Sequence, residues 1–269
     1  MAEMYEMNNA KRGIALLINI RTYNPNPFKL DERIWSEPDV KNLKTTLEYL
    51  EFDLRFYENL TANEIRAQIQ KIADEDHTHS DCFLCVIMSH GIDDKIMASD
   101  SEEISLKEIM QPIKSSCESL ENKPKLFFFQ ACRGDKKMLS KGRPDSDVSE
   151  TNEQCNSDTT TLEQSTKNET ESNLKLSSII EAESDLLMYY ATLPEHYAYG
   201  DVAEGTYFIK SVCKELNQAY TNLPNNNLLS GMILNINKSV RESGMALADP
   251  INRLVLDVKF TPKKVSFDF

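Results

Sequence analysis

A cysteine and a histidine each follow a short apolar segment of this chain, and both side chains could take part in nucleophilic catalysis. Cys132 comes three residues after the apolar run 126–129, and His90 comes two residues after the apolar run 83–88. Each run ends in polar residues and a glycine, a pattern that predicts a buried strand leading into a loop. A cysteine thiolate attacks carbonyl carbon, and a neighbouring imidazole can take the thiol proton. The two residues therefore predict an acyl-transfer site, provided that their strands are neighbours.

The order of the predicted elements would bring these strands together. Strands are predicted at 14–20, 52–57, 83–88, 126–129, 186–191 and 254–260, from apolar runs and alternating apolar residues. Helices are predicted after Ser36, after the capping boxes Thr61/Glu64 and Ser105/Glu108, and over 209–216 and 229–240. This alternation implies an α/β fold with a six-stranded, mainly parallel sheet and helices on both faces. Sites in such sheets form beyond the carboxyl ends of the strands, where Cys132 and His90 would lie.

Composition and charge limit the class of the protein and its partners. The 269 residues are 40% hydrophobic, which is enough for one large α/β domain or two small ones. A net charge of −13 disfavours nucleic acid and anionic membranes as partners. No apolar stretch approaches the length of a membrane span, and the polar start of the chain is unlike a signal peptide. The six cysteines have no disulfide-like spacing, so we expect reduced thiols in a cytoplasmic protein.

The remaining cysteines and two further histidines have simpler interpretations. Four cysteines are expected to be small core residues and one an exposed thiol. The four are Cys82, Cys85, Cys117 and Cys213, and the exposed one is Cys155. His77 and His79 superficially resemble metal ligands, but they lie in a polar turn and are expected to be solvated. We therefore expect no metal and no other cofactor.

A long acidic segment interrupts the alternation of strands and helices. Residues 145–185 contain eleven acidic residues against two basic ones, with much Ser, Thr and Asn, which predicts a disordered linker. The chain is accordingly divided into four regions. They are a short N-terminal tail at 1–12, a large region at 13–140, the acidic linker at 141–184 and a small region at 185–269.

The segment NKPKLFFFQACRG around Cys132, together with SHG around His90, resembles the caspase family closely. Gln-Ala-Cys-Arg-Gly with a histidine upstream matches the active-site signature of that family. The resemblance covers about residues 11–134 and 185–269. It implies the caspase-like fold, with Cys132 as the nucleophile and His90 as the general base and later the acid. The backbone N–H groups of Gly91 and Cys132 would form the oxyanion hole.

The resemblance also implies a large and a small subunit joined by a linker that is cut after aspartate. Asp145, Asp147 and Asp158 are the candidate cleavage positions. Caspases work as dimers of large–small units, joined through an edge strand of the small subunit. The expected partners are therefore protein or peptide substrates and, in a dimer, another caspase or a second copy of this chain.

Caspases hold the substrate aspartate with two arginines and a glutamine. Arg33 matches the first arginine, and Gln130 matches the glutamine. The small residues that usually follow this arginine are replaced here by Ile34 and Trp35. Two tyrosines of the small-subunit loop are further candidates for substrate binding, and they are Tyr197 and Tyr199.

The second arginine of the family pocket is missing from this chain. Its position, six residues after Pro194 in the small-subunit loop, is Gly200, and the segments on both sides match the family. No Lys or Arg occurs between Lys175 and Lys210. The nearest charged residues are all acidic, and they are Glu195, Asp201 and Glu204. We therefore expect catalytic groups beside a pocket that lacks one cation.

Three functions remain open. The first is a degenerate caspase of the apoptotic pathway, weak or inactive alone, that pairs with an active relative or competes for its inhibitors and substrates. The second is an active protease with altered specificity for the residue before the cleaved bond, although Arg33 argues against a basic residue there. The third is an ordinary aspartate-specific caspase in which a protonated His196 or a rotated Arg33 supplies the missing charge. The glycine at position 200 ranks them in that order.

Overall fold

A six-stranded sheet forms the centre of the computed structural model, which describes residues 3–115, 117–134, 184–201, 203–220, 228–244 and 247–263. The strands, in chain order, are β1 (Ile14–Asn19), β2 (Asp53–Glu58), β3 (Phe83–Met88), β4 (Gly91–Ile92), β5 (Lys95–Met97), β6 (Glu103–Ser105), β7 (Lys125–Gln130), β8 (Leu186–Tyr190), β9 (Gly200–Asp201), β10 (Gly205–Thr206) and β11 (Asp249–Asn252). The large sheet has the order β11-β8-β7-β3-β1-β2. Its neighbours are all parallel except β11 and β8. The predicted six-stranded, mainly parallel sheet is confirmed.

Helices cover both faces of this sheet, as predicted. They are α1 (Ser36–Tyr49), α2 (Ala62–Ala73), α3 (Leu106–Ser115), α4 (Tyr207–Tyr220) and α5 (Leu229–Glu242). One face packs in a buried cluster with α1, α4 and α5, and the other packs with α2 and α3. Both predicted capping boxes are present, Thr61 with Glu64 before α2 and Ser105 with Glu108 before α3.

The side chains of the central strands alternate between the two faces. In β7, Leu126 and Phe128 pack on the face of α1, α4 and α5, whereas Phe127 and Phe129 pack on the opposite face. β1, β3, β7 and β8 are buried along their whole length, which is typical of parallel strands covered on both sides. The same alternation determines the face on which a residue at the end of a strand lies.

The last strand of the sheet is not the predicted one. It is β11, and residues 254–260 form only isolated backbone pairings. The alternating pattern of this segment has another cause, because Val258 and Phe260 are buried in the core while Val255 is 65% exposed. A chain segment can therefore alternate between core and solvent without joining a sheet, and the pattern alone cannot distinguish the two cases.

The start of α1 also needs a correction. The residue before the helix is Trp35, and no side chain caps it, so Ser36 is not the cap that was predicted. The Ser36 hydroxyl donates instead to the Arg33 carbonyl at 2.7 Å. Asp39 lies in the first turn, as predicted. The serine thus fixes the segment before the helix and leaves the first turn to other partners.

Several expectations concern residues outside the described ranges. Only residue 184 of the acidic linker at 141–184 is described. The candidate cleavage positions Asp145, Asp147 and Asp158 therefore lie outside the described residues, as do Cys155 and residues 265–269. The four cysteines predicted to be core residues are buried. Within the described ranges, no helix has the length and apolar character needed to cross a membrane.

A buried ion pair joins both ends of the described chain to the amino end of the sheet. Arg12 and Asp81 are 3.0 Å apart, and neither side chain has exposed surface. The Arg12 guanidinium also donates to the carbonyls of Leu50 and Thr261. Asp81 accepts a second charge-assisted hydrogen bond, from Lys263. One carboxylate therefore holds the segment before β1 against the last described residues.

Replacing Asp81 with Asn should lower the free energy of unfolding by about 3–5 kcal/mol, because the Arg12 charge would then be buried without an anion. Urea denaturation followed by circular dichroism measures this loss. The matched control is Glu242→Gln, which breaks the exposed pair of Lys238 and Glu242 at 3.9 Å and should cost less than about 0.5 kcal/mol. Equal losses in the two variants would contradict the structural role of the buried pair.

Candidate active site

The pairing of β3 with β7 brings the two candidate catalytic residues to the same edge of the sheet. The strands are parallel, with Met88 opposite Gln130. The ladder continues one step further, because the Ser89 N–H donates to the Gln130 carbonyl at 3.1 Å. His90 and Cys132 each follow this register by two positions. The two strands are therefore neighbours, as the acyl-transfer hypothesis required.

The His90 imidazole is oriented by a backbone carbonyl and by two aromatic rings. Its Nε2 lies 2.8 Å from the Asp31 carbonyl oxygen, which can only accept, so Nε2 holds the hydrogen and Nδ1 is the basic nitrogen. The rings of Tyr23 and Trp35 lie with centroids 5.3 Å and 6.5 Å from that of His90. Burial holds the His90 pKa below its ordinary value, with a smaller contribution from the charge of Arg33. A neutral imidazole near pH 7 can accept a proton.

Cys132 lies beyond the end of β7, in contact with the small region of the chain. Its side chain is partly buried, and the Ala198 N–H donates to its sulfur at 3.4 Å. A backbone donor directed at sulfur stabilises the thiolate, which is the nucleophilic form of cysteine. The two halves of the chain therefore meet at the candidate reacting atom.

Gly91 lies directly against the backbone of Cys132. A Cβ at position 91 would lie 3.0 Å from the Cys132 carbonyl oxygen and 2.8 Å from the Lys95 carbonyl oxygen. Only glycine fits at such distances without displacing backbone. This close approach of two backbone segments is what an oxyanion hole formed by two N–H groups requires.

Arg33, the candidate for binding a substrate carboxylate, is buried and held in place by β1. Its Nη1 donates to the Asn19 side-chain oxygen at 3.1 Å and to the Ile20 carbonyl at 2.9 Å. The Asn19 amide donates in turn to Ser36 Oγ at 3.1 Å. Burial lowers the Arg33 pKa from its ordinary value, but guanidinium groups remain protonated in proteins. Sequence reasoning missed Asn19, whose one local signal is a polar residue at the end of an apolar strand.

Gln130 ends β7 and is 3% exposed. Because Leu126 and Phe128 pack toward α1, α4 and α5, the alternation places Gln130 on that same face. Its Oε1 has no hydrogen-bond partner in the described part of the chain. A buried polar atom without a partner costs about 1–3 kcal/mol. Gln130 is therefore a group that a polar ligand could satisfy.

The position of the missing arginine lies on a two-stranded hairpin formed by β9 and β10. Gly200 is exposed and pairs with Thr206. A Cβ at position 200 would lie 2.9 Å from both Cα and Cγ2 of Thr206. Tyr197 and Tyr199, on the segment that enters the hairpin, contact each other edge to face with ring centroids 6.4 Å apart. The constraint on a side chain at position 200 is therefore the close approach of Thr206.

A buried carboxyl group in α1 holds this hairpin in place. Asp39 has no exposed surface and accepts from the N–H and the hydroxyl of Thr206, both at 2.8 Å. Gly205, with φ +85°, lies so close that a Cβ there would overlap the Asp39 carboxylate. Burial raises the pKa of Asp39 to about 7, although the Thr206 hydrogen bonds and the charge of Arg33 oppose this rise. Nothing local to Asp39 in the sequence signals a partner so distant along the chain.

Arg133, the neighbour of Cys132, is bonded to three separate segments. It donates to Asp249 at 2.8 Å and to Asp94 at 3.4 Å, and its guanidinium lies 4.1 Å from the centre of the Tyr190 ring. These contacts reach β11, the turn between β4 and β5, and β8. Charge-assisted bonds of this kind are among the stronger polar contacts in proteins. Arg133 therefore positions the backbone of the candidate nucleophile, a role that the sequence motif alone did not reveal.

His77 and His79 do not form a metal site. His77 is buried rather than solvated as predicted, because its Nε2 bonds to the Ile72 carbonyl at 2.8 Å, whereas His79 is exposed as expected. Across the ranges that the structure describes, no group of three or more His, Cys, Asp or Glu side chains could hold a metal ion. A histidine in a polar turn can thus be drawn into the core by one backbone acceptor.

Comparisons with known proteins point to one family. The family model described as "Caspase domain" matches residues 12–253. Caspase-6 of Gallus gallus is 28% identical over 257 residues, which are 94% of this chain and 78% of that protein. Caspase-8 of Mus musculus is 32% identical over 223 residues, which are 80% of this chain and 43% of that protein. Caspase drICE of Drosophila melanogaster is 32% identical over 216 residues, which are 80% of this chain and 57% of that protein.

A solved structure supports the same fold. The crystal structure of Caspase-1 from Spodoptera frugiperda aligns with a TM-score of 0.76, at 24% identity, over 99% of this chain and 96% of that chain. At this level of identity the likeness concerns the fold alone. The chain spans less than two thirds of the Mus musculus and Drosophila melanogaster proteins that it matches.

Stability should fall with rising pH because of Asp39. Its pKa in the fold is about 7, above the value near 4 of an unfolded aspartate. Unfolding between pH 4 and 7 therefore releases a proton, and the free energy of unfolding should fall by about 1.4 kcal/mol per pH unit in that window. Asp39→Asn should remove this component of the pH dependence. Urea denaturation of both proteins at pH 5, 6 and 7 measures it.

The control for this prediction is an aspartate on the surface. Asp74 is exposed at the end of α2, so Asp74→Asn should keep the pH dependence of the parent protein. Asparagine can still accept from the Thr206 N–H and donate to its hydroxyl oxygen, so Asp39→Asn keeps the hairpin contact. Parallel stability curves for the parent and Asp39→Asn would contradict the raised pKa.

Proposed function

Because the chain belongs to the caspase family, we propose that it is a caspase-type cysteine endopeptidase homologue that retains the catalytic groups but is weak or inactive alone. One observation supports this proposal above all others. Gly200 occupies the position of an arginine with which the family binds the substrate aspartate, and no Lys or Arg occurs between Lys175 and Lys210 to replace it. The segment around it is fixed by Thr206, which pairs with Gly200 and bonds to Asp39.

The proposed chemistry is acyl transfer to Cys132. The thiol proton passes to Nδ1 of His90, and the thiolate sulfur bonds to the peptide carbonyl carbon. The carbon–nitrogen bond then breaks, and His90 gives the proton to the leaving amine. Water next attacks the thioester, leaving a carboxylic acid and the free thiol. The N–H groups of Gly91 and Cys132 would stabilise the oxyanion in both steps.

The missing cation is large enough to decide the activity. Removing one partner of a buried charge pair costs about 3–5 kcal/mol, which corresponds to a roughly 10²–10⁴-fold loss of rate. The charged residues around Gly200 add repulsion rather than attraction, since Glu195, Asp201 and Glu204 are all acidic. Glu204 is ion-paired with Lys210, which ties that lysine to the surface. A substrate aspartate would therefore depend chiefly on Arg33.

Two substitutes for the missing arginine have structural evidence against them. A protonated His196 could supply charge, but its Nδ1 is already bonded to the Pro194 carbonyl at 2.7 Å. A rotated Arg33 would have to leave the two acceptors from Asn19 and Ile20. Both changes break hydrogen bonds before any substrate contact forms.

We propose that the chain acts in the apoptotic pathway, in the cytoplasm, on an active caspase. It could pair with that relative and stabilise its loops, or compete for its inhibitors and substrates. The sheet offers a surface for pairing, because β11 ends it and pairs on one side with β8. An edge strand presents free N–H and carbonyl groups to another chain. A dimer with a second copy would use the same edge.

The second candidate function is an active caspase that cleaves after aspartate or has altered specificity at that position. The buried guanidinium of Arg33 favours it, because one well-held cation can still bind a carboxylate. The same cation disfavours a basic substrate residue. A neutral His90 near Cys132 on adjacent strands is also consistent with activity.

We further propose that the acidic linker is cut by an active caspase rather than by this chain itself. Asp145 and Asp158 are each followed by a small residue, which suits cleavage, and Asp147 is a third candidate. The chain incubated alone at high concentration should remain intact, and mass spectrometry should find cleavage after an added active caspase. The Cys132→Ala variant should be cut by that caspase at the same rate. Prompt self-processing that Cys132→Ala abolishes would overturn the proposal.

A peptide-library cleavage assay on the purified protein, alone and mixed with an active caspase, tests the proposed function. The parent should cleave aspartate peptides slowly or not at all, and it should change the rate of the active caspase. Gly200→Arg should raise its own cleavage at least about tenfold, because one recovered charge pair is worth that much in rate. The double variant Gly200→Arg/Thr206→Ser removes the Cγ2 contact at 2.9 Å and keeps the hydroxyl that bonds Asp39.

Controls separate charge from bulk in this assay. Gly200→Gln adds a long side chain without charge and should not raise cleavage. Thermal unfolding must show that each variant is folded. A folded Gly200→Arg as inert as the parent would place the defect elsewhere, in loop order or dimerisation. A parent already efficient on aspartate peptides would remove the proposal in favour of the second candidate.

A further inference from the structure

Trp35, the single tryptophan of the chain, lies beside the candidate base. Its indole approaches the His90 imidazole edge-on, with ring centroids 6.5 Å apart and an angle of 77° between the rings. The backbone here is fixed, because Trp35 directly precedes α1 and the Ser36 N–H donates to the Arg33 carbonyl at 3.0 Å. The indole is partly exposed. Trp35 is therefore a wall of the site that a bound molecule can reach.

The role proposed for His90 determines what Trp35 would contact. When the peptide bond breaks, His90 returns its proton to the leaving nitrogen, which must then lie about 3 Å from the imidazole. The first side chain of the leaving peptide begins two bonds beyond this nitrogen, so it starts about 5–6 Å from the imidazole. This is the range in which the indole lies. The side chain that follows the cleaved bond must therefore meet Trp35.

The exposed surface on both sides of this position is apolar. Phe28 and Ile34 lie on the loop whose carbonyl binds His90, and they are 58% and 44% exposed. Ile92 lies on the segment that follows His90 and is 50% exposed. Large apolar side chains that face water on adjoining segments are typical of binding surfaces.

The exposed charges of the same loop are mostly acidic. Glu32 and Glu37 share one base, Arg21, at 2.8 Å and 3.9 Å. Arg33 cannot offset them, because its guanidinium is buried against Asn19. An acidic side chain after the cleaved bond would therefore be repelled, whereas an apolar one would be removed from water.

We propose that Trp35 is a specificity-determining residue, which binds the side chain after the cleaved bond and selects an apolar residue there over an acidic one. The inference rests on the proposed function, because it uses His90 as the proton donor to the leaving amine. Contacts between an aromatic ring and another large side chain change affinity by about twofold to tenfold. The expected selectivity is of that size.

Peptide binding to the full chain with Cys132→Ala, which cannot cleave, tests this inference. Two peptides are identical except that leucine or glutamate follows the aspartate, and NMR line broadening of the peptide measures binding into the millimolar range. The leucine peptide should bind about threefold to tenfold more tightly. Adding Trp35→Ala should reduce this ratio below about twofold, and Trp35→Phe should restore most of it. Trp35 emission should also change more with the leucine peptide.

A matched control is Leu234→Ala, which removes a 71% exposed side chain of α5 and should leave the ratio unchanged. A ratio near one with Cys132→Ala, or a ratio that Trp35→Ala does not alter, would overturn the inference and leave the proposed function standing. Failure of both peptides to bind would overturn both, because the site would then not accept a peptide. Equal weakening of both peptides by Trp35→Ala would show a structural role and also reject selectivity.

Discussion

The parallel register between β3 and β7 is the constraint on which the site depends. It places Met88 opposite Gln130, and the residues two positions beyond, His90 and Cys132, therefore leave the sheet together. A shift of one residue would turn every side chain of one strand to the other face. The core prevents such a shift, because both faces of these strands are buried and each face packs with its own helices. The chemistry at the edge of the sheet is thus fixed by hydrophobic packing inside it.

Polar contacts between distant parts of the chain complete what the strands begin. Asp39 binds Thr206, and Arg133 binds Asp94 and Asp249. These groups are buried or nearly so, and a buried polar group has a low free energy only when it is paired. Loops that the sheet does not order are held by this requirement. The large and small regions therefore form one site although a long acidic segment separates them in sequence.

Local patterns predicted most of the fold and the two candidate catalytic residues, because burial leaves a periodic record in the sequence. The strand at 83–88 and the capping box at Thr61 are such records, and both are present. Partners distant in sequence leave no such record. The buried His77, the Asp39–Thr206 contact and the true position of the last strand, β11, all depend on tertiary neighbours. Roles in the site that follow from family resemblance remain proposals for the same reason, because a matching residue type does not measure an interaction.

The charge available to a substrate carboxylate depends on Asp39 as well as on the missing arginine. Arg33 opposes the rise in the Asp39 pKa, so the two groups interact. With that pKa at about 7, a substantial fraction of Asp39 is ionised at neutral pH, and its negative charge offsets part of the attraction of Arg33 for another anion. A pocket with two guanidinium groups would stay positive despite this. With Gly200 at the second position, the same carboxylate acts against a single cation, and the loss of one side chain weakens the pocket by more than its own charge.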